Sequence, residues 1–124
     1  MRLRTFLYSA TAALMAGCTP IGSCTLIGCY DGLAVDFNRA PQGAFRIEVT
    51  TPNDPAVHAI DCDSAATCVM MFPGLVAEQV TVRAITQQGT VTQTFQPDYE
   101  EQYPNGRRCG PACRQASVIV QLPA

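Results

Sequence analysis

An all-β fold, an antiparallel β-sandwich of about seven strands braced by disulfides, is predicted by three observations. Apolar residues alternate with polar ones at period two through most of the chain beyond residue 30. Clusters of Pro, Gly, Asn, Gln and Asp punctuate these runs at short intervals. Seven cysteines are spread over 124 residues. Period two puts every second side chain on one face of a strand, the pattern of a sheet with one buried face, and the punctuating residues are those that turns demand. No apolar stripe of helical period stands out beyond residue 17.

The first run is Leu33, Val35 and Phe37, with Ala34 and Asp36 opposite, and Ala40-Pro41-Gln42-Gly43 turns the chain after it. Phe45, Ile47 and Val49 then alternate with Arg46 and Glu48, up to the turn Pro52-Asn53-Asp54-Pro55. Two shorter runs, 56–60 and 68–72, read as buried strands joined by a hairpin, with Asp61 and Asp63 capping its turn. After Phe72-Pro73-Gly74, Val80 and Val82 alternate with Thr81 and Arg83. Gln87-Gln88-Gly89 leads into a run in which Val91 and Phe95 flank Thr90, Thr92 and Thr94. Val118, Val120 and Leu122 close the chain. Strands at this spacing across residues 30–124 form a sandwich domain. In architecture alone it is similar to immunoglobulin-like and transthyretin-like sandwiches, although the Cys…Trp…Cys pattern is missing and the chain has no Trp. Such folds host many functions, so the fold does not supply one.

The chain opens differently. Arg2 and Arg4 precede a short apolar stretch from Phe6 to Met15, too short to span a bilayer but suited to a signal-peptide helix. It ends in Leu14-Met15-Ala16-Gly17-Cys18. This resembles the lipobox of bacterial lipoproteins, in which a small pair precedes a Cys that becomes the acylated first residue; Met15 stands where that motif more often has Leu. The resemblance implies a signal peptide over 1–17, a thioether-linked diacylglycerol and palmitate-type chains on Cys18, and a lipid-anchored tether over 18–29. Several acyl chains together anchor firmly where one alone binds marginally. Thr19 follows the Cys in place of the Asp linked to inner-membrane retention. The implied location is the bacterial cell envelope, on the periplasmic side of the outer membrane in a cell that has one.

The cysteine count agrees with this. Seven is an odd number for an exported chain, and setting Cys18 aside for lipidation leaves Cys24, Cys29, Cys62, Cys68, Cys109 and Cys113, an even set suited to disulfides in an oxidising compartment. Cys62 and Cys68 bracket a short polar stretch and would bridge locally. Cys24 and Cys29 precede the first strand, and Cys109 and Cys113 precede the last. If those strands run parallel and adjacent, the favoured bridges are Cys24–Cys109 and Cys29–Cys113, in either permutation. The rival is a local set, Cys24–Cys29 and Cys109–Cys113, helped by the Gly110-Pro111 turn.

Composition narrows the function classes. All eight basic residues are Arg, and residues 18–124 hold six of them against ten acids, a formal charge of −4. That argues against nucleic acid, which requires a clustered basic face, and against electrostatic attachment to anionic lipid. His58 is the only His, and no Ser has a His neighbour in sequence. No metalloprotease, P-loop, dinucleotide or nucleophile-elbow motif occurs, nor any C-x-x-C. The expectation is therefore no catalytic residue, no cofactor and no metal. The feature with binding character is the long connection 96–114, which holds Asp98, Tyr99, Glu100, Glu101, Tyr103, Arg107 and Arg108. Its tyrosines offer aromatic anchors, and if the connection binds, replacing Tyr99 and Tyr103 by Ala weakens partner capture without unfolding the domain; the alternative is a solvated acidic loop pinned by disulfides. The sequence thus points to a non-enzymatic binding or accessory module of the envelope, its partner an envelope protein or cell-wall component. The alternative is a periplasmic metal-binding or redox protein using Cys thiolates and His58.

Overall fold

A computed structural model describes Cys24, residues 28–110 and residues 112–124; the signal peptide expected over 1–17, Cys18 and most of the tether expected over 18–29 lie outside the described residues. The strands are β1 (Gly32–Phe37), β2 (Phe45–Thr51), β3 (Asp54–Cys62), β4 (Met71–Pro73), β5 (Val80–Thr86), β6 (Gly89–Phe95), β7 (Glu100–Gln102) and β8 (Cys113–Val120). They form two four-stranded sheets, β4-β1-β8-β7 and β3-β2-β5-β6. Every pairing is antiparallel except β1 with β8, which run parallel from Gly32 opposite Gln115 to Phe37 opposite Val120. The first and last strands are therefore neighbours at the centre of one sheet.

The alternating sequence explains the core. Leu33 and Val35 from β1, with Ala116, Val118 and Val120 from β8, face Phe45, Ile47 and Val49 from β2 and Val80, Val82 and Ala84 from β5. All are buried, and they belong to the four central strands, which need an apolar face packed against the other sheet. Phe37 closes one end with its ring edge-on to Phe45, centroids 5.5 Å apart. The edge strands β3 and β6 carry inward side chains that are only half-buried, among them His58, Ile60, Val91 and Phe95. On the outer face of the second sheet, Arg46 pairs with Asp61 at 2.8 Å and Arg83 with Glu48 at 3.5 Å. These exposed pairs are worth at most about 1 kcal/mol each.

The structure revises four expectations. There are eight strands, because Glu100–Gln102 pairs with the start of β8. The run at 56–60 extends back to Asp54, so the turn before it shrinks to Pro52-Asn53, and Pro55 falls within an edge strand, where a missing N–H is tolerated. The run at 68–72 becomes the short β4, and β3 and β4 lie in different sheets, so no hairpin joins them. A 3-10 turn, Ala65–Thr67, carries the chain from one sheet to the other and brings Cys62 to Cys68, with Cα atoms 5.5 Å apart. Finally, Asp61 does not cap a hairpin; its carboxylate accepts from Arg46 across the β2–β3 ladder.

Two glycines have a positional reason. Gly89 follows the Gln87-Gln88 turn with φ +132°, which only glycine adopts without strain, and Thr86 tightens that turn by accepting from Gln88 N at 3.2 Å. Gly32 lies where β1 meets β4, and a Cβ there would stand 2.6 Å from the Phe72 carbonyl oxygen and 2.8 Å from the Met71 methyl. Gly32→Ala is expected to cost about 1–3 kcal/mol by forcing β4 off the sheet edge. Thermal unfolding tests this, and an unchanged midpoint would mean that β4 does not dock so closely.

Candidate functional site

The disulfides organise one pole of the sandwich. Cys24 bridges Cys109 and Cys29 bridges Cys113, with Cα atoms 5.6 and 5.7 Å apart across 85 and 84 residues. This long-range pattern follows from the parallel β1–β8 pairing, which starts both strands at the same end. Polar contacts reinforce it: the Asp31 carboxylate accepts from Arg114 N at 2.7 Å, and Gln115 Nε2 donates to Tyr30 O at 2.9 Å. At the opposite pole the Asn38 side chain grips the chain after β8, accepting from Leu122 N at 2.8 Å and donating to Leu122 O at 3.3 Å.

The connection 96–114 divides into two parts with different surroundings. Glu100 and Glu101 belong to the edge strand β7, and Asp98 and Tyr99 lead into it. Tyr99 turns inward: its hydroxyl accepts from Ala77 N at 3.1 Å and donates to Leu75 O at 3.4 Å, while the Arg114 guanidinium lies 5.7 Å from its ring centre. Half-buried and packed on the core, Tyr99 holds the β4–β5 connection rather than standing out as an anchor. The expectation that Tyr99→Ala leaves the domain intact is corrected accordingly. Tyr99→Phe should cost about 1 kcal/mol through its two hydrogen bonds, and Tyr99→Ala about 2–3 kcal/mol through lost packing as well. Urea unfolding of both variants checks the order, and equal midpoints would remove the structural role.

Residues 103–109 form the second part, at the bridged pole. Two successive turns shape it, Gly106 N donating to Tyr103 O at 3.0 Å and Cys109 N donating to Gly106 O at 3.1 Å. The Tyr103 hydroxyl donates to the Glu101 carboxylate, and the Arg107 guanidinium sits 5.5 Å from the Tyr103 ring centre. The hydrogen bond to Glu101, with partial desolvation and the nearby carboxylate charge, pushes the phenol above its ordinary value, and Arg107 opposes this. Arg108 is exposed and makes no ion pair among the described residues. Tyr30, which the sequence did not single out, is 71% exposed and shares with Tyr103, Cys29, Gln102 and Gln115 a shallow cleft of about 320 Å³. Its position directly after Cys29 is the available signal: once Cys29 meets Cys113, Tyr30 must lie beside Tyr103.

His58 sits on β3 opposite Val49, half-buried at the rim of an open cleft that also takes in Thr51, Asp54 and Glu78. Among the described residues no three His, Cys, Asp or Glu side chains gather as a metal-binding group. The six described cysteines are all in disulfides, so a site of thiolates with His58 would require those bridges to be opened.

The fold and its cysteine framework define the class: an all-β, disulfide-braced sandwich with parallel terminal strands. Comparisons with protein-family models, with curated proteins and with solved structures find no match for the chain.

Proposed function

We propose that the chain is a lipid-anchored protein of the bacterial cell envelope, on the periplasmic side of the outer membrane, and that its sandwich is a non-enzymatic binding or accessory module. The observation that carries this reading is the fate of the cysteines. Three disulfides take up Cys24, Cys29, Cys62, Cys68, Cys109 and Cys113. The seventh, Cys18, ends the stretch Leu14-Met15-Ala16-Gly17 that resembles a lipobox. Disulfides of this kind persist in oxidising compartments, in keeping with export. The surface offered to a partner, whether an envelope protein or a cell-wall component, is the exposed acidic edge at Asp98, Glu100 and Glu101, where β7 ends its sheet.

The test is the intact mass of protein isolated from membranes and alkylated without reduction. The expected species begins at Cys18, carries acyl chains and takes up no alkylating agent. A soluble, unacylated species with alkylated cysteines would overturn the reading and bring thiolate chemistry forward.

A further inference from the structure

Resting on the acylated Cys18 of the reading above, we propose that the doubly bridged pole is a membrane-facing surface. Tyr30, Tyr103, Arg107 and Arg108 sit in the headgroup zone of the bilayer that holds the anchor, and the opposite pole is presented away from it.

The first ground is the length of the leash. Cys24 is tied to Cys109, so a fixed point on the domain lies only six residues along the chain from the anchor. At about 3.5 Å per extended residue that leash reaches no more than about 20 Å. Were the chain free up to β1, the first fixed point would lie fourteen residues from Cys18, a reach of about 50 Å. The eight residues of β8 span about 27 Å. The longer leash would let the domain turn over, whereas the shorter one keeps the bridged pole at the membrane.

The second ground is what that pole carries. Arg107 and Arg108 directly precede Cys109, the residue to which the leash is tied. Tyr30 and Tyr103 line one cleft there. Amphipathic tyrosine rings suit the membrane–water interface, and guanidinium groups suit lipid phosphates. Arg46 and Arg83, by contrast, are committed to ion pairs on the outer face of the second sheet. The opposite pole gathers Arg39, Gln88, Gly89 and Leu122, and no described tyrosine lies among them. The overall negative charge does not conflict with this arrangement, because the acyl chains attach the protein and the pole only orients it. Of the acids near the pole, Asp31 accepts from Arg114 N and Glu101 from Tyr103, while Asp98 and Glu100 stand exposed to the side, at the β7 edge.

The chain has no Trp, so a single introduced indole reports its own depth. Full-length acylated protein carrying Tyr103→Trp, or Gln88→Trp at the opposite pole, is placed in phosphatidylcholine vesicles with a quarter phosphatidylglycerol, part of the lipid brominated near the headgroup. The expected result is blue-shifted fluorescence from the Tyr103→Trp protein, quenched several-fold more than that of the Gln88→Trp protein. Adding Arg107→Ser and Arg108→Ser together to the Tyr103→Trp protein should lower its quenching at least twofold while flotation with the vesicles is unchanged. Equal, weak quenching of both probes in protein that still floats would overturn the orientation while leaving the anchor intact. Protein that neither floats nor carries acyl chains would overturn the anchor and the orientation together.

Discussion

Replacing Cys24, Cys29, Cys109 and Cys113 together by Ser is expected to lower the unfolding free energy by about 7 kcal/mol, while removing either long-range bridge alone costs about 3 kcal/mol. The reason is that the two bridges close nearly the same loop, across 85 and 84 residues. The first closure of such a loop is worth about 4–5 kcal/mol in chain entropy. With that one in place, the second closes only the small ring made of residues 24–29 and 109–113, worth about 3 kcal/mol. Either bridge can serve as the first, so either single loss removes only the smaller contribution. A domain of this size is stable by about 5–15 kcal/mol, so the double variant should be marginal or unfolded. Urea unfolding of the two single-bridge variants and the double variant tests this. A local pairing of Cys24 with Cys29 and Cys109 with Cys113 predicts about 2 kcal/mol for each of those bridges, adding simply.

Ile47→Ala is expected to cost about 3–4 kcal/mol, the largest effect of any single side chain discussed. Ile47 is fully buried at the middle of β2, flanked by Ile60 on β3 and Ala84 on β5. Its loss leaves a cavity that neither neighbouring strand can fill without leaving its register. Glu48→Ala, one residue on and facing the other side of the sheet, should cost no more than about 1 kcal/mol, since it loses only partly exposed contacts with Arg46 and Arg83. Denaturation midpoints of the two variants give the comparison; similar losses would mean that the period-two alternation does not set the inward face.

That alternation explains why β1, β2, β5 and β8 were legible in the sequence: each lies in the middle of a sheet, with one face against the core and the other against water. β7 was not legible, because Glu-Glu-Gln has no apolar alternation and its strand geometry is lent by the free edge of β8. The apolar runs at 56–60 and 68–72 indicate strands but not which sheet each joins, so in the sequence the crossing between sheets looks the same as a hairpin. The long-range disulfides were legible because their spacing and the parallel pairing of the terminal strands constrain each other. The inward turn of Tyr99 was not, since the groups that hold it, Leu75 O and Ala77 N, lie 24 and 22 residues away. Tyr30 does not stand out in the sequence for a similar reason: its surroundings are assembled by a bridge spanning 84 residues.

The bridged pole also determines how the molecule bears mechanical load. Tension applied between the two ends of the chain enters at Cys24 and passes through the disulfides to Cys109 and Cys113, so the chain between Cys29 and Cys109 lies outside the load path. Beyond the bridges, what can be drawn out of the domain is β8 and the residues that follow it, starting with the peeling of β8. The remaining strands stay enclosed in a covalent ring that force cannot open, and reduction alone turns the protein from a short strap into an extensible one.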